Sequence, residues 1–270
     1  MLAASDMDAE SARSYCSRVN RQQRLNAIVA AVVSRGALDA TALAKEFDIS
    51  LATVRRDLDL LERQRLVSRT RGGVRMHTAF NDLPLSLKTT QDLAEKRAIA
   101  QRALEYLRGA RVIGMTGGTT LTEFARGLVD REGLTVVTNA LNVATDLLVN
   151  PGLRVFAAGG EVRSSSQEAV GPSAEAFLSS YNLDVAFVGV DGVDARAGCT
   201  NYDPAGARVN AVMVERARRV VVLADASKVG RVALAPVCRM ADVDVLVTDR
   251  RLSLDESELI QAEGCTVLRE

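Results

Sequence analysis

Apolar positions recur at helical spacing in the first quarter of the chain and in short unbroken runs after residue 110. From Arg21, the residues Leu25, Ile28, Val29 and Val32 fall three and four apart. That spacing predicts an amphipathic helix over residues 21–34, ended near Gly36. "LDATALAKEFDISLATVRRDLDLLERQRL" follows. Asp39 is placed to cap a short helix over 40–47 that turns Leu43 and Phe47 to one side. "DIS" reads as a tight turn. Ser50 is placed to cap another helix, from Leu51 to about Gln64, with Val54, Leu58 and Leu61 as its buried stripe. A helix, a three-residue turn and a helix form the helix-turn-helix plan. "LVSRTRGGVRM", residues 66–76, then reads as a strand, a turn at the paired glycines and a returning strand.

Periodicity lapses over 77–94, where Pro84 and polar residues predict an extended linker. A helical pattern resumes at Glu95 with "EKRAIAQRALEYL". Beyond it, candidate strands are 112–115, 135–138, 154–157, 185–190, 220–224, 244–248 and 266–268. Candidate helices start near Leu121, Asn142, Ser173, Pro204 and Asp255. Short β-rich runs separated by helices predict a mainly parallel sheet covered on both faces. The expected organisation is a disordered tail over 1–18, a winged helix-turn-helix domain over 19–77, a linker over 78–94 and an α/β domain over 95–270.

Composition changes this picture in one respect. The net charge is zero, yet residues 1–80 carry 13 basic and 9 acidic side chains, leaving the remainder mildly acidic. A basic first domain points to a polyanion partner for that part alone. The four cysteines (Cys16, Cys199, Cys238, Cys265) are scattered and there is one histidine, His77, so no zinc set is expected. Free thiols in a reducing cytoplasm are expected, with Cys199 a small packing residue near the rim of the pocket described below. No apolar stretch approaches the ~20 residues of a membrane span, and no secretory signal opens the sequence. The expected location is cytoplasmic.

Candidate chemistry gathers in two places. The N-terminal turn of a recognition helix enters the major groove, and here it carries Ser50, Thr53, Arg55 and Arg56. Hydroxyls there bond phosphates or base edges, and an arginine fork reads guanine. Arg69, Arg71 and Arg75 ride on the hairpin as a wing suited to lying along phosphates or in the minor groove. Asp57 and Asp59 are unsuited to a groove-facing surface and are expected to pair with nearby arginines or to pack at the side of the domain. In the second domain, small and polar residues follow each strand: Thr116, Gly117, Gly118, Thr119 and Thr120; then Thr138 and Asn139; then "GGEVR", with Gly160 and Glu161; then "VDGVD", with Asp191; then "DASKVG", with Lys228. In open parallel sheets ligands bind beyond these strand ends. Glycines admit an anion close to the backbone, and free N–H groups at a helix start point toward it. The loop lacks both the Gly-Lys-Ser/Thr of a nucleotide-binding P-loop and the G-x-G-x-x-G of a dinucleotide fold.

Residues 21–74 resemble the winged helix of the DeoR family of bacterial transcription regulators, on "LATVRRDLDLLERQRLVSRTRGGV". Arg71 stands where the family usually has His. Residues 95–250 resemble the DeoR sensor domain, a Rossmann-like relative of ribose-5-phosphate isomerase and glucosamine-6-phosphate deaminase. The matching pieces are "EKRAIA", "GGTT", "VVTNALNVATDLL", "AAGGEVR", "AVGPSAEAFL", "DVAFVGVDGVD" and "VVVLADASKVGRVAL". The resemblance implies that Gly117 to Thr120 hold a phosphate while Thr138, Asn139, Asp191 and Lys228 face a phosphorylated sugar or derivative. Thr116 replaces a common Asp, and Gly206 and Asn210 stand near positions where the family often has Glu and Lys. Proton transfer needs acid and base groups around the sugar, so these departures count against catalysis.

The expected function is a DNA-binding repressor of sugar catabolism genes, controlled by a phosphorylated sugar. Its partners are a double-stranded operator, that effector and further copies of the chain, as dimer or tetramer. No cofactor, metal or membrane partner is expected. Two alternatives stay open: a sugar-phosphate isomerase or deaminase with an accessory DNA-binding domain, and a regulator whose pocket is vestigial.

Overall fold

The computed structural model describes residues 21–63, 66–76, 85–89 and 92–270. The expected tail over 1–18, Cys16, Gln64, His77 and much of the expected linker lie outside the described residues. The chain divides into two compact units, with the division after Leu87.

In the first unit, α1 (Arg21–Arg35) is followed by β1 (Ala37–Asp39), α2 (Ala40–Glu46), α3 (Leu51–Arg63), β2 (Val67–Thr70) and β3 (Gly73–Met76). Asp39 caps α2, accepting from the Thr41 and Ala42 N–H groups. The turn before α3 uses Asp48 at φ +50°, a left-handed conformation that aspartate tolerates better than most residues. Ser50 Oγ accepts the Thr53 N–H at 3.1 Å and so caps α3. Leu25, Ile28, Val29 and Val32 of α1 close on Leu43, Val54, Leu58, Leu61, Val67 and Val74 in one core. The wing is a three-stranded sheet in the order β1-β3-β2 rather than a hairpin alone. Three residues of β1 carry too little pattern to announce a strand. Their partner shows why a second glycine follows Gly72: a Cβ at Gly73 would lie 2.2 Å from the Leu38 carbonyl oxygen.

Asp57 and Asp59 of α3 both pair with arginines. Asp57, 2% exposed, accepts from Arg24 Nε at 2.7 Å, with Arg21 Nε at 3.6 Å. Asp59 pairs with Arg69 at 3.0 Å.

The second unit opens with α4 (Leu93–Ala103). Seven strands then build one sheet: β4 (Val112–Met115), β5 (Leu134–Thr138), β6 (Leu153–Ala157), β9 (Val185–Val188), β12 (Val220–Leu223), β14 (Val245–Thr248) and β15 (Thr266–Arg269). All neighbours are parallel, in the order β15-β14-β12-β9-β4-β5-β6. These are the seven strands the apolar runs predict. Alternation along each strand divides the side chains between two cores. Ile113, Met115, Val136, Phe187, Val221 and Val247 face Ile99 of α4, Phe124 of α5 (Thr119–Arg126) and Leu147 of α6 (Leu141–Leu147). Val137, Val188, Val222 and Leu246 face Leu178 of α7 (Pro172–Ser179), Met213 of α8 (Pro204–Glu215) and Ile260 of α9 (Leu254–Ala262).

Two small antiparallel pieces were not legible in the pattern. One is the hairpin of β7 (Glu161–Arg163) and β8 (Glu168–Val170). The other joins β10 (Gly192–Asp194), β11 (Gly198–Asn201) and β13 (Ala235–Cys238). Each strand has three or four residues, too few for alternation to register. Leu85–Lys88, inside the stretch expected to be extended, makes a single helical turn.

Candidate functional site

Strand order fixes where the site forms. From β4 the chain builds outward through β5 and β6 on one side, and through β9, β12, β14 and β15 on the other. The crevice beyond the ends of β4 and β9 is therefore the switch point where connections diverge and ligands bind in such sheets. The loop leaving β4 is Thr116–Gly118, and the loop leaving β9 is Gly189–Asp191.

Thr116 is fully buried and ties these loops together. Its Oγ1 accepts the Gly189 N–H at 2.9 Å and donates to the Gly117 carbonyl at 3.4 Å. Gly118 precedes α5 at φ +116°, a conformation open to glycine, and no side chain caps the helix. Thr119 and Thr120 form its first turn. A Cβ at Gly189 would lie 2.7 Å from the Gly117 carbonyl oxygen, so the crossing of the two loops requires a glycine.

An acid already lies against this loop. Glu168 Oε1 accepts the Gly117 N–H at 2.9 Å. Burial pushes its carboxyl above the ordinary glutamate range, and Asp191 adds to this. The Gly117 N–H, Ser166 and Arg163 oppose the rise. Glu168 was absent from the residues the sequence singled out.

Cations gather about Asp191 and Asp225. Lys88 Nζ pairs with Asp191 at 3.4 Å. Lys96, 4% exposed, donates to the Lys88 carbonyl at 2.8 Å. Burial lowers the proton affinity of Lys96, with Asp225 and Asp92 opposing. Burial also lowers Lys228, and repulsion from Lys88 adds to it. An incoming anion reverses both effects, because it stabilises the charged amines. Lys88 and Lys96 were missed. Lys96 left a readable signal: with Ile99, Ala100 and Ala103 it falls at i, i+3, i+4 and i+7, a lysine on an apolar stripe.

Polar groups complete the crevice. Thr138 is buried and its Oγ1 accepts the Ala140 N–H. Asn139 donates to the Ala169 carbonyl and Asn210 to the Gly189 carbonyl. The Oδ1 atoms of both asparagines are buried without a hydrogen-bond partner among the described residues. Such acceptors are costly unless a donor such as a hydroxyl reaches them. Asp191 Oδ2 accepts the Tyr202 N–H at 3.2 Å. Arg163 lies 3.5 Å from Asp203, the cap of α8. Gly160 and Glu161 are exposed at the root of the β7–β8 hairpin. No hydrogen bond or ion pair among the described residues joins them to this cluster.

On the first unit, Arg55 and Arg56 are exposed on α3 and Arg71 is exposed in the wing turn. None of the three makes an ion pair among the described residues. Ser50 Oγ and Thr53 Oγ1 bond each other at 2.8 Å. Arg69 is differently placed. Its guanidinium reaches Asp59 and the Arg55 carbonyl, and its N–H donates to Glu62 Oε1, fastening the wing to α3.

The two halves match two family models: a DeoR-like helix-turn-helix domain over residues 24–80 and the DeoR C terminal sensor domain over residues 91–250. The chain belongs to the DeoR family. Like other members it is a DNA-binding transcription regulator. It is 34% identical to the HTH-type transcriptional regulator GlpR of Haloferax volcanii, over 91% of this chain and 96% of that one. To the glycerol-3-phosphate regulon repressor of Escherichia coli it is 31% identical, over 86% and 92%. To the transcriptional repressor AccR of Agrobacterium fabrum it is 35% identical, over 77% and 81%. Among solved structures, the sorbitol operon regulator SorC of Klebsiella pneumoniae matches 83% of this chain and 94% of its own, with 13% identity and a TM-score of 0.41. Among the described residues no helix is long and apolar enough to cross a membrane, and no group of His, Cys, Asp and Glu could hold a metal ion.

Proposed function

We propose that this DeoR-family regulator represses sugar catabolism genes and is released from its operator by a phosphorylated sugar bound beyond β4 and β9. The observation that carries the reading is the Gly117 loop at the switch point, whose amide already binds a carboxylate, while Lys88, Lys96 and Lys228 gather about Asp191 and Asp225. The Gly117–Thr120 amides hold the phosphate. Thr138, Asn139, Asp191 and Lys228 face the sugar, Thr116 shapes the loop, and Gly160 and Glu161 form the rim. The Escherichia coli relative is named for the glycerol-3-phosphate regulon, and glycerol 3-phosphate is likewise a small phosphate ester.

Binding without turnover is the fitting use of this site. Asn210 occupies the inner face of α8, where its amide donates to a backbone carbonyl. A neutral amide moves no proton at the pH of the cell. Release needs the effector to bind one arrangement of the protein more tightly than the other.

On the DNA side, Ser50, Thr53, Arg55 and Arg56 enter the major groove, and Arg71 contacts phosphate. Arg69 holds the wing against α3 and lends its charge to the backbone. A dimer or tetramer sets two recognition helices about one helical turn apart, or a multiple of it.

The test is a gel shift on DNA upstream of the protein's own gene cluster, with and without a panel of sugar phosphates. One that weakens the complex supports the reading. A complex indifferent to the whole panel, or an aldose phosphate turned over by the pure protein, overturns it. Arg56→Ala is expected to cost about 1–3 kcal/mol of specific binding, and unchanged operator affinity removes Arg56 from the interface.

A further inference from the structure

The Glu168 carboxylate is a feature of the crevice that a phosphate-binding loop does not need. It bonds the Gly117 N–H at 2.9 Å, across 51 residues of sequence. A Cβ placed at Gly117 would lie 2.7 Å from Glu168 Cδ, so the carboxylate is packed onto the loop itself. We infer that Glu168 is an internal occupant of the anion cradle and thereby a specificity-determining residue: a ligand binds only by bringing an anion that displaces it. The inference rests on the phosphate-binding reading above.

The main chain around Glu168 is held, so the exchange falls to its side chain. Ala169 N–H donates to the Asn139 carbonyl at 2.7 Å, and Asn139 returns a bond to the Ala169 carbonyl at 3.2 Å. Leu141 N–H donates to the Gln167 carbonyl at 2.9 Å, and Glu168 itself bridges to Ala140. The backbone therefore stays on the loop after β5 while the carboxylate swings about its χ angles. Among the described residues, apart from Gly118 and its two chain neighbours, no atom lies within 4 Å of the point a Cβ on Gly118 would occupy, which leaves room for an entering group.

Selectivity follows from competition. A tethered carboxylate acts at an effective concentration of the order of millimolar or above. A free carboxylate offers the loop the same chemistry without that advantage and so loses. A neutral sugar offers no charge, and hydrogen bonds to ionised acceptors are roughly twice as strong as neutral ones. A phosphate brings up to two charges and three acceptor oxygens to the same amides and to Lys88, Lys96 and Lys228. Glu168, repelled by Asp191 and disfavoured by burial as an anion, gives way to it.

The experiment uses the full chain, as wild type, Glu168→Gln and Glu168→Ala, with ³¹P line broadening of inorganic phosphate as the readout and acetate as competitor. Gly118→Asp serves as the blocked cradle. Glutamine keeps the shape and a neutral acceptor, so it guards against a packing effect of alanine. Phosphate affinity is expected to rise from wild type through Glu168→Gln to Glu168→Ala. The last binds about tenfold more tightly than wild type, which corresponds to about 1.4 kcal/mol. Acetate competes in Glu168→Ala and not in wild type.

If both variants bind phosphate no more tightly than wild type while Gly118→Asp abolishes binding, Glu168 is a ligand contact or a bystander. The inference then fails and the phosphate reading survives. If phosphate binds none of the proteins, or binds Gly118→Asp as well as the others, the cradle reading fails and takes the inference with it.

Discussion

The pair of Asp57 and Arg24 gives the first unit its most vulnerable point. Asp57 is 2% exposed and Arg24 17%. Their bond joins α1 to the inner side of α3, the helix that also carries Arg55 and Arg56. Asp57→Ala leaves the Arg24 guanidinium half-enclosed without its partner. Breaking a buried pair from one side costs about 3–5 kcal/mol. A unit of about 60 residues has about 3–9 kcal/mol in total. The variant is therefore expected to lose most of the stability of the first unit and, with it, operator binding. The assay is hydrogen exchange of the intact protein read on peptides from residues 21–76, which reports this unit separately from the second. Protection in α1 and α3 should fall by roughly a hundredfold or more, following from that cost at about 1.4 kcal/mol per tenfold, while peptides of β4 and β9 keep theirs. Removing both charges with Arg24→Met and Asp57→Leu should restore most of the protection, because an apolar pair of similar volume avoids the stranded charge. A loss of less than about fivefold in Asp57→Ala, roughly 1 kcal/mol, refutes the reasoning.

Three further outcomes are expected. Gly189→Ala sets a Cβ 2.7 Å from the Gly117 carbonyl and 2.9 Å from Leu121 Cδ2; it should abolish the effector's action on the operator complex while binding to DNA persists, and a normal response would separate the loop crossing from the ligand site. The Arg111 and Val112 N–H groups hold the Asp184 carboxyl below its ordinary value of 3.8. Its stabilisation is present above that value and fades as pH falls through the lowered one, so acid unfolding of the second unit should be shallower in Asp184→Asn, and an identical acid profile would refute this. Among the described thiols, the Cys199 hydrogen bond lowers Cys238, the same contact and burial raise Cys199, and burial pushes Cys265 up to about 12. Iodoacetamide at mildly alkaline pH should therefore label Cys238 first, with equal labelling of the three as the contrary result.

Elements with enough residues to show a period were legible. The seven strands of the large sheet and the helices after them follow from apolar runs and spacing, and the Asp39 and Ser50 caps were visible as residue types at the right offsets. Partnership across the sequence was not legible. Glu168 reaches Gly117 only because a hairpin of two three-residue strands carries it there. Lys88 belonged to a stretch without period. Arg69 looked like a free wing cation, and it is bound to Asp59, ten residues earlier. Lys96 could have been found, since a lysine on an apolar stripe signals either a partner or a ligand.

The order of the strands also sets a timetable. The first unit closes on contacts within residues 21–76, and local contacts form quickly. The crevice needs β4, β9 and the loop carrying Lys228, and its closing bond, from Gly189 to Thr116, spans 73 residues. At about 5–20 residues per second, synthesis of everything after residue 76 takes about 10–40 s. During that interval each nascent chain carries a finished winged helix-turn-helix unit before the crevice exists, so on the proposed reading the DNA-reading head precedes any response to an effector until the ribosome is almost done.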